Sequence, residues 1–267
     1  MPWNWISWRL LWRIGLALVA LIIVLRVLAF TPLAHSFVEA RLEAVSVRGQ
    51  SVKIENVSGD LLGRFSIDRI SVSDSVGTWT TAEDVTASWR VLPLLWGRLH
   101  LKEARIETIE ARRRPVLQPP QPQASNRGGF LRAYVLERGA VSNIVLANGV
   151  AGPEQTYQLD ASLRMRGARG DVAVNLTPLN GGGDDVELDI AWGDDVPVRG
   201  GISITGAPNG LIAKLLQIPQ DAGFSAQAEA MGSAKDWTLT AHSQIGDDEW
   251  FTSSAQQDGS QLTAEGS

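Results

Sequence analysis

From Tyr157 onward the chain alternates apolar and polar residues almost without interruption. The runs are Tyr157–Met165, Val172–Leu176, Val186–Trp192, Ile202–Ile204, Phe224–Ala230 and Trp237–Ala241. A period of two puts every second side chain on the same side of an extended strand, so such runs specify a sheet with one dry face and one wet face. Gln158, Asp160, Ser162, Arg164, Glu187, Asp189, Gln227 and Glu229 take the wet positions. Turn clusters at 180–185 and 193–195 separate the runs, which predicts antiparallel strands joined by short connections.

Upstream, the alternation is interrupted in a regular way. Arg64–Val72 reads as two alternating apolar pairs with an extra polar residue between them, and the pattern returns at Arg98–Ile106, with a looser copy at Val141–Leu146. One inserted residue flips every later side chain to the other face unless a bulge or bend restores it. These segments are therefore predicted to be kinked strands of one curved sheet. Between them, Val85–Val91 alternates cleanly and Leu92–Gly97 forms an apolar connection.

Residues 116–129 hold Gln118–Gln123, rich in proline, and end in Gly128-Gly129, so they can supply neither ladder donors nor an apolar face and read as a linker or long loop. Leu211–Ile218 is the exception in the second half: a short apolar helix near 211–218, opening after Asn209-Gly210 and stopped by Pro219. The expected organisation is 1–44 as an anchor with a short helical continuation, 45–115 as a kinked-strand section, 116–129 as the linker, and 130–267 as a second sheet section. The chain is expected to be the N-terminal piece of a longer protein.

The anchor rests on Ile14–Leu25 and Val27–Phe30, an apolar run broken only by Arg26. Ile14, Leu18, Leu21, Leu25 and Phe30 are its principal apolar residues. The Leu, Ile, Val and Phe side chains of the run favour insertion by roughly 4–7 kcal/mol, against at most about 3 kcal/mol for an arginine at the membrane centre. Arg9 and Arg13, with Trp3, Trp5, Trp8 and Trp12, precede the run, as positive residues and interfacial aromatics do on a cytoplasmic flank. A cleaved signal peptide is the competing reading, although 32–34 and 29–31 each lack one small residue of a cleavage site.

Composition narrows the chemistry. The chain has no cysteine and a net charge of −5, so thiolate metal sites are excluded and nothing suggests nucleic-acid binding. His35, His100 and His242 are scattered and lack any catalytic or metal-binding motif, and the pairs Asp184-Asp185, Asp194-Asp195 and Asp247-Asp248 fit turns better than calcium loops. Arg112-Arg113-Arg114-Pro115 reads as a solvated strand end, with contact to anionic lipid as the alternative. The sequence therefore offers no catalytic residue, no metal site and no cofactor, and an enzyme is not expected.

The segment Val57–Asp74, Gly77–Trp79, Val85–Trp89, Leu92–Leu99 and Arg112–Pro115, together with the Leu211–Pro219 helix and Asp236-Trp237, resembles the N-terminal region of the TamB family. These are AsmA-like proteins of the bridge-like lipid-transfer superfamily and form the inner-membrane-anchored subunit of the bacterial translocation and assembly module. The resemblance is sharpest over 57–115. It implies a transmembrane helix with a cytoplasmic N-terminus, followed by an elongated antiparallel β trough in the periplasm. It also implies phospholipid transport between the membranes, support for outer-membrane protein assembly and secretion, and a TamA-like outer-membrane barrel partner engaged through a C-terminal part outside this chain.

On that reading Phe65, Ile67, Leu99, Leu101, Leu159, Leu163, Leu188 and Ala228 would line a lipid groove, and the small residues Ala161, Ala226, Ala228, Ala230 and Ala241 would leave room for an acyl chain. From the pattern alone an ordinary sandwich of two sheets is favoured, and the resemblance reverses that preference. The alternative function is a periplasmic scaffold that captures outer-membrane protein substrates by β-augmentation.

Overall fold

The computed structural model describes residues 50–116, 132–150, 152–193, 198–208, 210–215, 217, 222–233, 236–258 and 261–266. The expected anchor, including Ile14, Leu18, Leu21, Leu25 and Phe30, and nearly all of the 116–129 segment lie outside them. Among the described residues no helix is long and apolar enough to cross a membrane.

Mainly β structure is what the alternation builds. The strands are β1 (Ser51–Gly59), β2 (Arg64–Asp74), β3 (Gly77–Arg90), β4 (Arg98–Ala111), β5 (Ala133–Leu146), β6 (Gln155–Arg166), β7 (Arg169–Pro178), β8 (Asp185–Trp192), β9 (Val198–Gly206), β10 (Phe224–Gly232), β11 (Asp236–Ile245), β12 (Asp248–Asp258) and β13 (Gln261–Gly266). They form one open, curved sheet of 13 strands in sequence order. At about 4.8 Å per strand spacing, its surface runs roughly 58 Å from β1 to β13. A 3-10 turn (Leu92–Trp96) joins β3 to β4, and helix α1 (Leu211–Leu215) follows β9.

Two expectations need correction. The sheet is antiparallel except at one junction, since β4 and β5 pair in parallel, with Arg98 opposite Ala133 and Ala111 opposite Leu146. A parallel pair requires the chain to return to the same end of the sheet, which takes a crossover of a dozen or more residues. The long segment after β4 provides that length, so the chain feature that separates the two halves in sequence also fixes their parallel junction. The second correction concerns layers: the sandwich favoured by pattern alone is not formed, because among the described residues there is one sheet and no second one against it.

Kinked strands are present, but the expected kinks do not share one row: Ile67–Ile70 and Val141–Ile144 fall in a first row, to which β4 contributes Ile106–Ile109, and Leu101–Ala104 falls in a second. Ile54 and Val57 on β1 face Ile70 and Ile67 on β2, which face Ala82 and Val85 on β3, Ile109 and Ile106 on β4, and Ile144 and Val141 on β5. In every one of these pairs the two apolar residues are three apart rather than two. The row ends at β6, where Tyr157 and Leu159 return to a spacing of two and the β5–β6 register shifts. Asn56 (φ 56°) and Asp84 (φ 52°) take the left-handed conformation that makes the extra residue possible on β1 and β3, and Asn56 Nδ2 donates to Asp68 Oδ2 at 3.0 Å. The kink on β3 interrupts the strand just ahead of its cleanly alternating stretch. A second, shorter row pairs Leu101 and Ala104 on β4 with Leu136 and Gly139 on β5. It is bounded by the spacing of two between Ala87 and Trp89 on β3, where the β3–β4 register shifts, and by the same spacing of Leu163 and Ala161 on β6.

Two small cores lie towards opposite ends of the sheet, one over β1–β3 and one over β9–β11, two strands short of β13. Ile54, Val57 and Ile67 are buried with Val52, Leu61, Phe65, Ile70 and Val85 around them, because the β1–β2 loop folds back and carries Leu61 over the face. Trp89 fixes that loop by donating its indole N–H to the Leu61 carbonyl at 2.8 Å, with its ring edge-on to Phe65 at 6.4 Å. At the other end, α1 places Ala213 against Phe224, surrounded by Ile204, Ile212, Ala226 and Ile245.

Candidate functional site

Residues directly opposite one another on paired strands project to the same side of a sheet. Following the pairing from strand to strand shows that one face is apolar from β2 to β10, before Ser243 on β11 and Ser253 on β12 enter the same rows. A central row runs through Phe65, Ala87, Ala104, Gly139, Ala161, Val174, Leu188, Ile202, Ala228 and Ala241. On one side of it lies the row Ile67, Val85, Ile106, Val141, Leu159, Leu176, Val186, Ile204 and Ala226. On the other side lies Leu101, Leu136, Leu163, Val172, Ile190, Gly200, Ala230 and Leu239. A fourth row at the rim carries Leu99, Tyr134, Met165 and Gly170.

All eight groove candidates project from this side of the sheet, but Ile67, 6 % exposed, is closed into the core under the β1–β2 loop with Phe65 packed against it, so it does not line the open part of the face. Phe65, Leu188 and Ala228 share the central row, Ile67 and Leu159 one flanking row, Leu101 and Leu163 the other, and Leu99 the rim. The 3-10 turn and the crossover separate Phe65 from Leu159 in sequence, yet register places them in adjacent rows.

The face has relief. Ala87, Ala104, Gly139 and Ala161 lie side by side across β3 to β6, while their neighbours in the flanking rows include Ile106, Val141, Leu159, Leu101, Leu136 and Leu163. The result is a furrow of small residues that runs across the strands, along the length of the sheet, for about 14 Å at the usual strand spacing, partly filled at Gly139 where the Leu136 side chain leans in. At β10 and β11 the small residues Ala226, Ala228, Ala230 and Ala241 broaden it. Ala87, Ala104 and Gly139 are the floor residues that reading the sequence missed. Their signal was present in the alternation, but only the second kink row on β4 and β5 brings Ala104 and Gly139 level with Ala161.

Burial follows the same division. Leu159, Leu163, Leu188 and Ala228 are half-buried, whereas Gln158, Asp160, Glu187, Asp189 and Glu229 are exposed. The wet face carries charge ladders between strands, including Arg69–Glu83 at 2.8 Å and Arg64–Glu103 at 2.9 Å. Among the described residues no second sheet covers this face, and between the β1–β2 loop over Ile67 and α1 over Ile204 and Ala226 it is the kind of surface that takes a ligand or a partner.

The polar groups of interest are structural. Asp184, only 1 % exposed, accepts amide hydrogen bonds from Ala207 at 2.9 Å and Ile212 at 3.0 Å, which tie α1 to the sheet. The Asp184-Asp185 pair is therefore more than a local turn. Tyr157 donates to Gln155 Oε1 at 2.5 Å beside it, and burial, the leading cause, pushes the Tyr157 hydroxyl up to about 12. His100 meets Glu137 at 2.6 Å, and that contact holds the Glu137 carboxyl below its ordinary value. His242 Nδ1 lies 3.1 Å from the Thr252 hydroxyl. His35 lies outside the described residues.

The three consecutive arginines are partnered, not a free solvated end. Arg112 pairs with Glu110 at 2.8 Å, Arg113 chelates Asp74, and Arg114 donates to the Val150 carbonyl at 2.8 Å. Among the described residues no group of three or more His, Asp or Glu side chains is arranged to hold a metal ion.

Comparison of the chain with protein-family models, with curated proteins and with solved structures finds no match.

Proposed function

We propose that this chain is the membrane-proximal part of a periplasmic lipid conduit, a non-enzymatic protein anchored in the inner membrane through residues 14–30, as its resemblance to the TamB family implies. The observation that carries this reading is the furrow of small residues on an apolar face that, among the described residues, no second sheet covers. An acyl chain is a flexible apolar cylinder. A floor of Ala and Gly between walls of Leu, Ile and Val lets it lie in contact with hydrocarbon along its length, while the phosphate stays at the rim. The aligned kinks of β1 to β5 bend the sheet in its first part. Transfer along such a surface needs no catalytic group and no cofactor. Support for outer-membrane protein assembly and secretion follows from supplying lipid to the outer membrane, with a TamA-like barrel as the distal partner.

Capture of unfolded outer-membrane proteins by strand addition is the alternative. It requires a flat, free edge, and β1 is a poor one: Lys53 projects from it and the left-handed Asn56 bends it.

Site-specific photocrosslinking in cells separates the two. Leu163 faces the furrow, and the neighbouring Arg164 points to the wet side with its side chain 66 % exposed. Phospholipid adducts at Leu163 and not at Arg164 are the expected result. Adducts confined to protein at Leu163 would refute the conduit.

A further inference from the structure

Both rims of the sheet carry acidic residues, Asp74, Asp185 and Asp248 at one and Asp236 and Asp258 at the other, and both carry exposed apolar side chains. At the first rim these are Val76 and Trp250, beside the partnered Arg112 and Arg113. At the other, the 3-10 turn projects Leu92, Leu95 and Trp96, which are 71 %, 70 % and 67 % exposed. Residues three apart eclipse one another in a 3-10 turn, so Leu92 and Leu95 point the same way. Pro93 starts the turn and Gly97, left-handed at φ 70°, ends it, so these side chains are held out on a fixed backbone instead of collapsing onto the sheet.

Arginines surround this turn. Arg98 follows it directly, and Arg132 is held beside it by its amide, which donates to the Gly97 carbonyl at 2.6 Å. Arg166 lies two strands away in the same row, through Ala133. All three are exposed, and none forms an ion pair with a described residue. Next to them on the opposite face of the rim stand Tyr134 and Met165, 41 % and 38 % exposed. The rim is thus amphipathic: exposed Leu, Trp, Tyr and Met side chains sit beside unpaired arginines. In a chain whose overall charge is −5, this local positive charge stands out.

We propose that this rim docks on an anionic phospholipid surface, with Leu92, Leu95 and Trp96 entering the boundary between headgroups and acyl chains and Arg98, Arg132 and Arg166 meeting the phosphates. Trp favours that boundary, and each arginine near an anionic surface adds electrostatic attraction that a neutral bilayer lacks. A protein partner of ordinary apolar character would not account for three unpaired arginines around the turn, whereas phosphate does. The docking is independent of whether the apolar face carries lipid.

The absence of cysteine makes the test clean. The full chain carrying Leu95→Cys is spin-labelled and reconstituted in vesicles of phosphatidylcholine alone or with phosphatidylglycerol, and the label's collisions with oxygen and with an aqueous nickel chelate are measured. Val76→Cys, equally exposed at the opposite rim, is the control. The expected result is a shift from nickel to oxygen collisions for Leu95→Cys only in phosphatidylglycerol vesicles, and loss of that shift when Arg98→Glu and Arg166→Glu are added. A label that stays aqueous in both vesicles overturns the proposal. So does one that enters lipid regardless of phosphatidylglycerol or of the arginines, one shielded from both reagents by protein, or equal penetration by Val76→Cys. Photocrosslinking at Leu163 reports on the furrow separately, so failure of either reading leaves the other standing.

Discussion

Asp74 and Arg113, 39 residues apart in sequence, form a two-pronged ion pair across the start of β3, with Nη1–Oδ2 at 2.7 Å and Nη2–Oδ1 at 2.6 Å. Arg113 also donates to the Gly77 carbonyl, and the amides of Val76 and Val116 donate to Asp74. The carboxylate is enclosed by donors, and the Arg113 hydrogen bond, the largest cause, holds its pKa well below the ordinary value of 3.8. This cluster ties the β2–β3 turn to the end of β4.

A carboxylate whose folded pKa is lowered stabilises the fold fully above its unfolded pKa, and that stability is lost as the pH falls through the folded value. Asp74→Asn is therefore expected to lower the thermal midpoint at pH 7. The gap from the parent chain should close as the pH is taken from about 4 downward. Melting curves across that range check it; a gap constant with pH would contradict the assignment.

Asp184 makes a second prediction. Asp184→Ala leaves the Ala207 and Ile212 amides without their acceptor at the foot of α1, at a cost of about 2–4 kcal/mol. Amide exchange should show the loss first in 207–212 and the start of β10, with β1–β5 little changed.

Tyr157 gives the chain an alkaline limit. Its hydroxyl is raised to about 12, so the stability it contributes is present below the ordinary tyrosine value of 10.0 and is lost as the pH rises through 12. Denaturant midpoints should decline over that interval, and Tyr157→Phe should flatten the decline.

The aligned kink can be probed at Asp84. Left-handed backbone suits glycine and costs a side-chain-bearing residue about 1–2 kcal/mol, most for a β-branched one. Asp84→Gly should leave the chain as stable or slightly more so, and Asp84→Val should destabilise it by about that amount, as read from equilibrium unfolding.

A single layer also predicts uneven sensitivity to truncation. Ile67 is buried in the small core under the β1–β2 loop, so Ile67→Ala should cost about 2–5 kcal/mol. Leu188 is half-buried and lies outside both small cores, and Leu188→Ala should cost about 1 kcal/mol or less. Equal losses would mean that the face is packed against something.

The sequence by itself determined which residues share the apolar face, because side-chain direction in a strand is a local property with a period of two. All eight groove candidates stand on that face for this reason, and the same local rule exposed the kinks at Ile67–Ile70 and Leu101–Ala104 as interrupted alternation. Only the tertiary structure decided what lies beside what. Pairing register, a relation between strands, lined up the kinks of five strands into one row and set Ala87, Ala104, Gly139 and Ala161 level as a floor. The parallel β4–β5 junction depends on where a long crossover delivers the chain, which alternation does not encode. The Asp74–Arg113 pair likewise exists because three strands bring positions 39 apart together. Whether the apolar face meets a second sheet is also beyond a local pattern, since the same alternation serves a sandwich and an open trough alike.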